Sequence, residues 1–202
     1  MTAGRSVGTA PKRCSSYDPH SCKIVDTLHY SSRVILPSNS PLYALTDQPA
    51  LVVFLRSFGC TFSREAIGDV AAARAEIEAA GASIVFVHGG TREQAEAWFS
   101  TFGMSGVTQI SDPGLAHYAA FGLGQTGILS LIDPRVWVRG AGCARSHGFG
   151  AQSAAMMQQL PGVFVVQGGS VLASYRHHSP ADRPDYVRLV RNGIAAVPMS
   201  SL

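Results

Sequence analysis

The run Ala50-Leu51-Val52-Val53-Phe54-Leu55 constrains this chain more than any other feature, because it is apolar without interruption and rich in β-branched and aromatic side chains. It is too short for a buried helix and offers no polar face to water. It therefore predicts a strand covered on both sides, at the centre of a parallel or mixed sheet. After Ser57-Phe58-Gly59-Cys60 the period changes: Ile67, Val70, Ala71, Ala73, Ile77 and Ala80 recur at threes and fours, and Gly81 stands where a helix ends at C′. Cys60 is thus expected where strand runs into helix.

The pattern then repeats. Ala82-Ser83-Ile84-Val85-Phe86-Val87 reads as a second strand, and Thr91 with Gln94 as a capping box opening a helix with Ala95, Trp98, Phe99 and Phe102 on its core face. Val107 to Ile110 predicts a short third strand, and Asp112-Pro113 a further helix through Leu115, Tyr118 and Ala119 to Gly122. From Gly124 to Met157 no period is legible, and Asp133-Pro134 interrupts the one apolar stretch. Val163-Phe164-Val165-Val166, Gly168-Gly169 and Ser170 to Arg176 form a hairpin pattern with a two-residue glycine turn. Ser179 and Pro180 suit the N-cap and first position of a closing helix through Tyr186, Val187, Leu189 and Val190. Strand and helix alternating in this way, with a hairpin at the end, specify an α/β architecture.

The 202 residues, 46% hydrophobic and 14% charged, suffice for one core. Residues 1–40, rich in Ser, Thr, Pro and Gly, are expected to be a flexible lead-in, and 41–195 the folded domain. A net charge of +3, spread along the chain, argues against a nucleic-acid partner. No apolar run reaches 18 residues and the first 25 lack the apolar core of a secretory signal, so the expectation is a cytoplasmic protein without a membrane partner. The basic, Ser- and Thr-rich composition of Met1 to Lys23 suits an organelle transit peptide as well as a tail. Four dispersed cysteines, Cys14, Cys22, Cys60 and Cys143, do not make a disulfide framework. Cys14 and Cys22 with His20 and His29 match no common zinc spacing, so no metal and no organic cofactor is expected.

A thiol is a nucleophile as thiolate, and position decides how much thiolate there is. At a helix N-terminus the unpaired N–H groups and the macrodipole favour negative charge, and Arg64, one turn on from Cys60, adds a cation. The bland alternative is a small buried residue at a strand end. Elsewhere, His88, His177 and His178 are candidate proton donors or ordinary loop histidines, Glu65 a helix N-terminal charge, and Met156-Met157 core.

The segment Val53-Phe54-Leu55-Arg56-Ser57-Phe58-Gly59-Cys60-Thr61-Phe62-Ser63-Arg64-Glu65 resembles the active-site stretch of the peroxiredoxin-like proteins of the alkyl hydroperoxide reductase and thiol-specific antioxidant group. The likeness continues through Leu160-Pro161-Gly162 and the hairpin to Tyr175-Arg176. It implies a thioredoxin-like three-layer α/β/α fold with a central mixed sheet, a C-terminal β-hairpin and a closing helix. It implies an enzyme that reduces hydroperoxides or disulfides through Cys60, with thioredoxin or glutathione as reductant. Ser57, Ser63 and Arg64 would assist Cys60, and Gly59, Phe62 and Pro161 would face the substrate, Pro161 resembling the cis-proline opposite the active cysteine.

Two departures accompany the resemblance. The family's second motif cysteine is Ser63 here, so an oxidised Cys60 must be resolved by glutathione, another protein or a distant thiol such as Cys143. The family's Pro and Thr before the cysteine are Val53 and Ser57, and no arginine precedes Val163 within Gln158 to Gly162. These departures leave two alternatives open beside a peroxidase: a monothiol exchange protein for glutathione disulfides, and a redox-inactive binding module.

Overall fold

The computed structural model describes residue 34 and residues 39–125, 158–179 and 181–196. Five strands form one sheet in the order β3-β2-β1-β4-β5. They are β1 (Ala50–Phe54), β2 (Ser83–His88), β3 (Thr108–Ser111), β4 (Gly162–Gln167) and β5 (Ser170–Arg176). β1 is central, parallel to β2 and antiparallel to β4. β2 runs parallel to β3, and β4 and β5 make the hairpin. The sheet is therefore mixed, one of the two forms expected around its apolar central strand.

Alternate residues of β1 feed two cores. Leu51 and Val53 join Ile67, Val70 and Ile77 of α2 (Thr61–Ala79), Ala95 and Phe99 of α3 (Arg92–Thr101), and Leu189 and Val190 of α5 (Tyr186–Ala195). Val52 and Phe54 join Leu42 of α1 (Leu42–Leu45), Tyr118 of α4 (Ala116–Ala120), and Phe121 and Phe164. Helices thus cover both faces, giving three layers.

Local signals fixed several boundaries as expected. Gly81, at φ +90°, follows the C-cap of α2, and the Thr91–Gln94 capping box is made in full. Gly168 and Gly169, at φ +54° and +77°, turn the hairpin.

Two helix starts differ from expectation. α4 begins at Ala116 rather than at Asp112-Pro113, because the Asp112 carboxylate accepts the Ala116 and His117 N–H groups while Leu115 takes a left-handed conformation. α5 begins at Tyr186, capped by Asp185, whose side chain accepts the Arg188 N–H at 3.0 Å. Pro184 disfavours a helical Arg183 and delays the helix, while Ser179 closes a turn with Ala181 N–H and Asp182. Pro180, the proposed first position, lies outside the described residues, as do Cys14, Cys22, Cys143, Met156 and Met157. Among the described residues no helix is long and apolar enough to cross a membrane.

Candidate active site

Cys60 is the N-cap of the 19-residue α2 and has extended backbone angles. Its N–H bonds the Ser57 carbonyl at 3.0 Å, closing a tight turn, and its own carbonyl accepts the Arg64 N–H. The sulfur therefore sits at the positive end of a long helix dipole. The residue is only 3% exposed, and it is the one cysteine among the described residues.

Sequence reasoning missed the cation that meets this sulfur. Arg56, two residues beyond β1 and 5% exposed, directs Nη1 to Cys60 Sγ at 3.6 Å. Its Nε donates to the Gln159 carbonyl at 3.1 Å, and its backbone N–H donates to Ser63 Oγ at 3.1 Å. The available signal was an arginine set at the end of an apolar run, since a cation there is seldom buried without a partner.

Arg64, the cation expected from sequence, donates through Nε to the Phe58 carbonyl at 2.7 Å and lies 4.0 Å over the Trp98 ring. Burial lowers its pKa from the ordinary value, and charge at Cys60 works in the opposite direction. Arg64 thus braces the turn and contributes field from the helix side. Ser63 is buried and engaged by Arg56. Ser57 Oγ is buried without a hydrogen-bond partner among the described residues, on the residue that opens the turn. Gly59 is buried within it.

Phe62 and Pro161 line a cavity of about 20 Å³ together with Arg56, Ser63 and His177. No peptide bond among the described residues is cis, so Leu160–Pro161 is trans. The resemblance of Pro161 to a cis-proline does not extend to its isomer. Its carbonyl instead accepts the His177 N–H at 3.3 Å. His177 is buried on this wall while His178 is exposed.

Glu65, expected as a helix N-terminal charge, is 5% exposed and 3.8 Å from Arg183. Arg183 also forks onto Asp69 at 2.6 and 2.5 Å, which raises its pKa further above the ordinary arginine value.

His88 lies below the turn rather than at the sulfur. Its ring is 5.1 Å from Phe58, and its nitrogens face the Gly90 carbonyl at 3.1 Å and Gln109 Oε1 at 2.9 Å. Burial lowers its pKa below 6.5, against the pull of both partners. No group of three His, Cys, Asp or Glu side chains among the described residues is arranged to hold a metal.

The family model described as AhpC/TSA antioxidant enzyme matches residues 70–179, just over half of the chain. The match begins ten residues after Cys60, so the roles within the turn rest on its own geometry. Two solved structures from Xanthomonas campestris are similar. One is peroxiredoxin Q in a cysteine-to-serine mutant, 16% identical, with a TM-score of 0.55 over 82% of this chain and 98% of that one. The other is bacterioferritin comigratory protein, from a study of its alkyl peroxide reduction activity, also 16% identical, with a TM-score of 0.54 over 77% of this chain and 84% of that one. At such identity they establish the fold, which is the thioredoxin-like α/β arrangement expected from sequence. No curated protein matches the chain.

Proposed function

Since the chain belongs to the AhpC/TSA antioxidant enzyme family, and is a thiol oxidoreductase of peroxiredoxin-like type, we propose that Cys60 is its attacking thiol and that a hydroperoxide is the substrate. The observation that carries this reading is the 3.6 Å approach of Arg56 Nη1 to Cys60 Sγ at the N-terminus of α2. The sequence offers Val53 and Ser57 for the family's Pro and Thr and no arginine before Val163, which leaves the alternatives to a peroxidase open. A guanidinium reaching the sulfur from the β1 side supplies the same charge.

In the proposed cycle the Cys60 thiolate attacks the distal oxygen of the hydroperoxide. An S–O bond forms as the O–O bond breaks, and the departing alkoxide or hydroxide takes a proton from solvent. Arg56 faces both the sulfur and the charge that moves onto oxygen, and donors already aimed at developing charge are the larger share of many barriers removed by enzymes. Ser57, whose hydroxyl has no hydrogen-bond partner among the described residues, is the neutral donor at the start of the turn. The sulfenic acid on Cys60 is then condensed by a thiol, releasing water and leaving a mixed disulfide, and a second thiol returns Cys60 to thiolate. Ser63 cannot supply the first thiol and holds Arg56 instead. Glutathione, thioredoxin or Cys143 therefore serves as resolving partner. Phe62 and Pro161, which line the cavity beside Arg56, and Gly59 of the turn are the residues proposed to meet substrate.

A Cys60 only 3% exposed favours a small hydroperoxide over a protein disulfide and speaks against a docking module built on the same surface. The test is intact mass after one equivalent of hydrogen peroxide, beside the Cys60→Ser variant. Gain of one oxygen, or a disulfide to Cys143, in the parent protein alone supports the reading. If Cys60 stays reduced under peroxide yet exchanges rapidly with glutathione disulfide, the chain is a monothiol exchange protein; if it does neither, the binding-module reading takes over.

A further inference from the structure

Arg56 meets the sulfur because something else aims it, and the aiming group lies 103 residues away in the chain. Gln159 is 2% exposed. Its side-chain amide nitrogen lies 3.1 Å from the Leu123 carbonyl, 3.1 Å from the Gly124 carbonyl and 3.2 Å from its neighbour's, Leu160. The Leu160 N–H returns a bond to the Gly124 carbonyl at 3.0 Å, and Gln125 bridges Gln159 antiparallel. One buried amide thus fastens two separate stretches of chain on each other. The peptide so fixed presents its carbonyl to Arg56 Nε. A guanidinium is planar and its donors form a rigid fork, so fixing Nε fixes where Nη1 points.

We propose that Gln159 is the positioning residue for the reaction at Cys60: its side chain locks the peptide whose carbonyl holds the Arg56 fork on the sulfur. This deepens the reading of Cys60 as the attacking thiol and rests on it for the peroxide step. The coupling of Gln159 to Arg56 can also be read without peroxide. Nothing in the local pattern around residue 159 announces this role, because a glutamine in an aperiodic stretch looks like solvated loop.

The experiment is a double-mutant cycle on the full chain. Gln159→Met keeps the length of the side chain and removes its donors; Arg56→Met removes the fork. Two rates are measured for each protein, Cys60 alkylation by iodoacetamide between pH 5.5 and 8.5 and Cys60 oxidation by hydrogen peroxide. Gln159→Met is expected to slow oxidation about 10-fold through a misplaced partner and Arg56→Met about 100-fold. The doubly substituted protein should be no slower than Arg56→Met alone, because the glutamine acts only through the arginine. The alkylation profile of Gln159→Met should move in the same direction as that of Arg56→Met. A general loss of packing moves neither the coupling nor the profile. Wild-type rates in Gln159→Met, or multiplied losses in the double variant, overturn the proposal.

Should Gln159→Met fail to fold, the wild-type protein decides. With labelled arginine, the Arg56 Nε–H must exchange with solvent slowly, and fast exchange counts against the proposal. The two readings fail differently. Coupled alkylation without any peroxide oxidation would sink the peroxidase reading and leave Gln159 as the holder of Arg56; oxidation without coupling would do the reverse.

Discussion

A cation and a sulfur 3.6 Å apart interact most strongly where water is excluded, and Arg56 and Cys60 are 5% and 3% exposed. On the proposed reading charge alone does not fill the role, because the fork would serve the Gln159 carbonyl, the sulfur and a leaving oxygen together. Arg56→Lys is accordingly expected to keep part of the rate and Arg56→Met to lose about 100-fold, measured by stopped-flow oxidation of Cys60. At this scale the sequence disclosed what is local. Cys60 announced itself because a strand, a turn and a helical period adjoin it, whereas Arg56 depends on a distant carbonyl that no window includes. His88 offers a second test. Burial keeps its folded pKa below the ordinary 6.5, so the unfolded chain binds a proton that the fold resists. Stability is then highest above that value and falls as the pH drops below about 6.5 toward the folded pKa. Denaturation midpoints should decline between pH 7.5 and 5.5, and His88→Gln should flatten the decline. A decline of the same size in that variant would assign it to other groups.

Among elements, the ends of β1 and β2 carry the site, and the Tyr118 hydroxyl ties them. It donates to the Leu55 carbonyl and lies 3.2 Å from that of Val87, beneath the point where β1 gives way to the turn. Burial raises its pKa well above the ordinary value, with Asp112 adding to the effect, which favours the hydroxyl as donor. Tyr118→Phe takes this donor from the Leu55 carbonyl, while that of Val87 keeps the Leu55 N–H, and should cost about 1–3 kcal/mol, read by urea denaturation, with slower oxidation of Cys60. An unchanged midpoint would show that the hydroxyl anchors nothing. Helix boundaries mark where local reading stopped. The capping box at Thr91 uses residues three apart and was legible. The start of α4 was not, because a left-handed Leu115 and the reach of the Asp112 carboxylate decide it, and that of α5 was displaced by Pro184.

In the whole molecule, the last segments of the described chain close on the first. β4 pairs with β1, α5 packs on α2, and Arg183 clasps Asp69 across a separation of 114 residues. The clasp also holds the buried Glu65. Arg183→Met would remove the cation that Asp69 and Glu65 share in this clasp and should cost about 2 kcal/mol. Thermal unfolding monitored with Asp69→Asn in the same background should show the two losses to be non-additive, and simple addition would mean the clasp contributes little. The α/β class and the hairpin were legible because periodicity reports them. The clasp was not, since only the closed sheet brings its halves together. That closure also sets a schedule. Residues 56 and 60 leave the ribosome together, but the carbonyl that aims the arginine follows 103 residues later. On the proposed reading, a nascent chain exposed to oxidant carries an unarmed thiol, and the capacity to consume peroxide arrives with the completed fold, so that synthesis itself is shielded from the chemistry of its product.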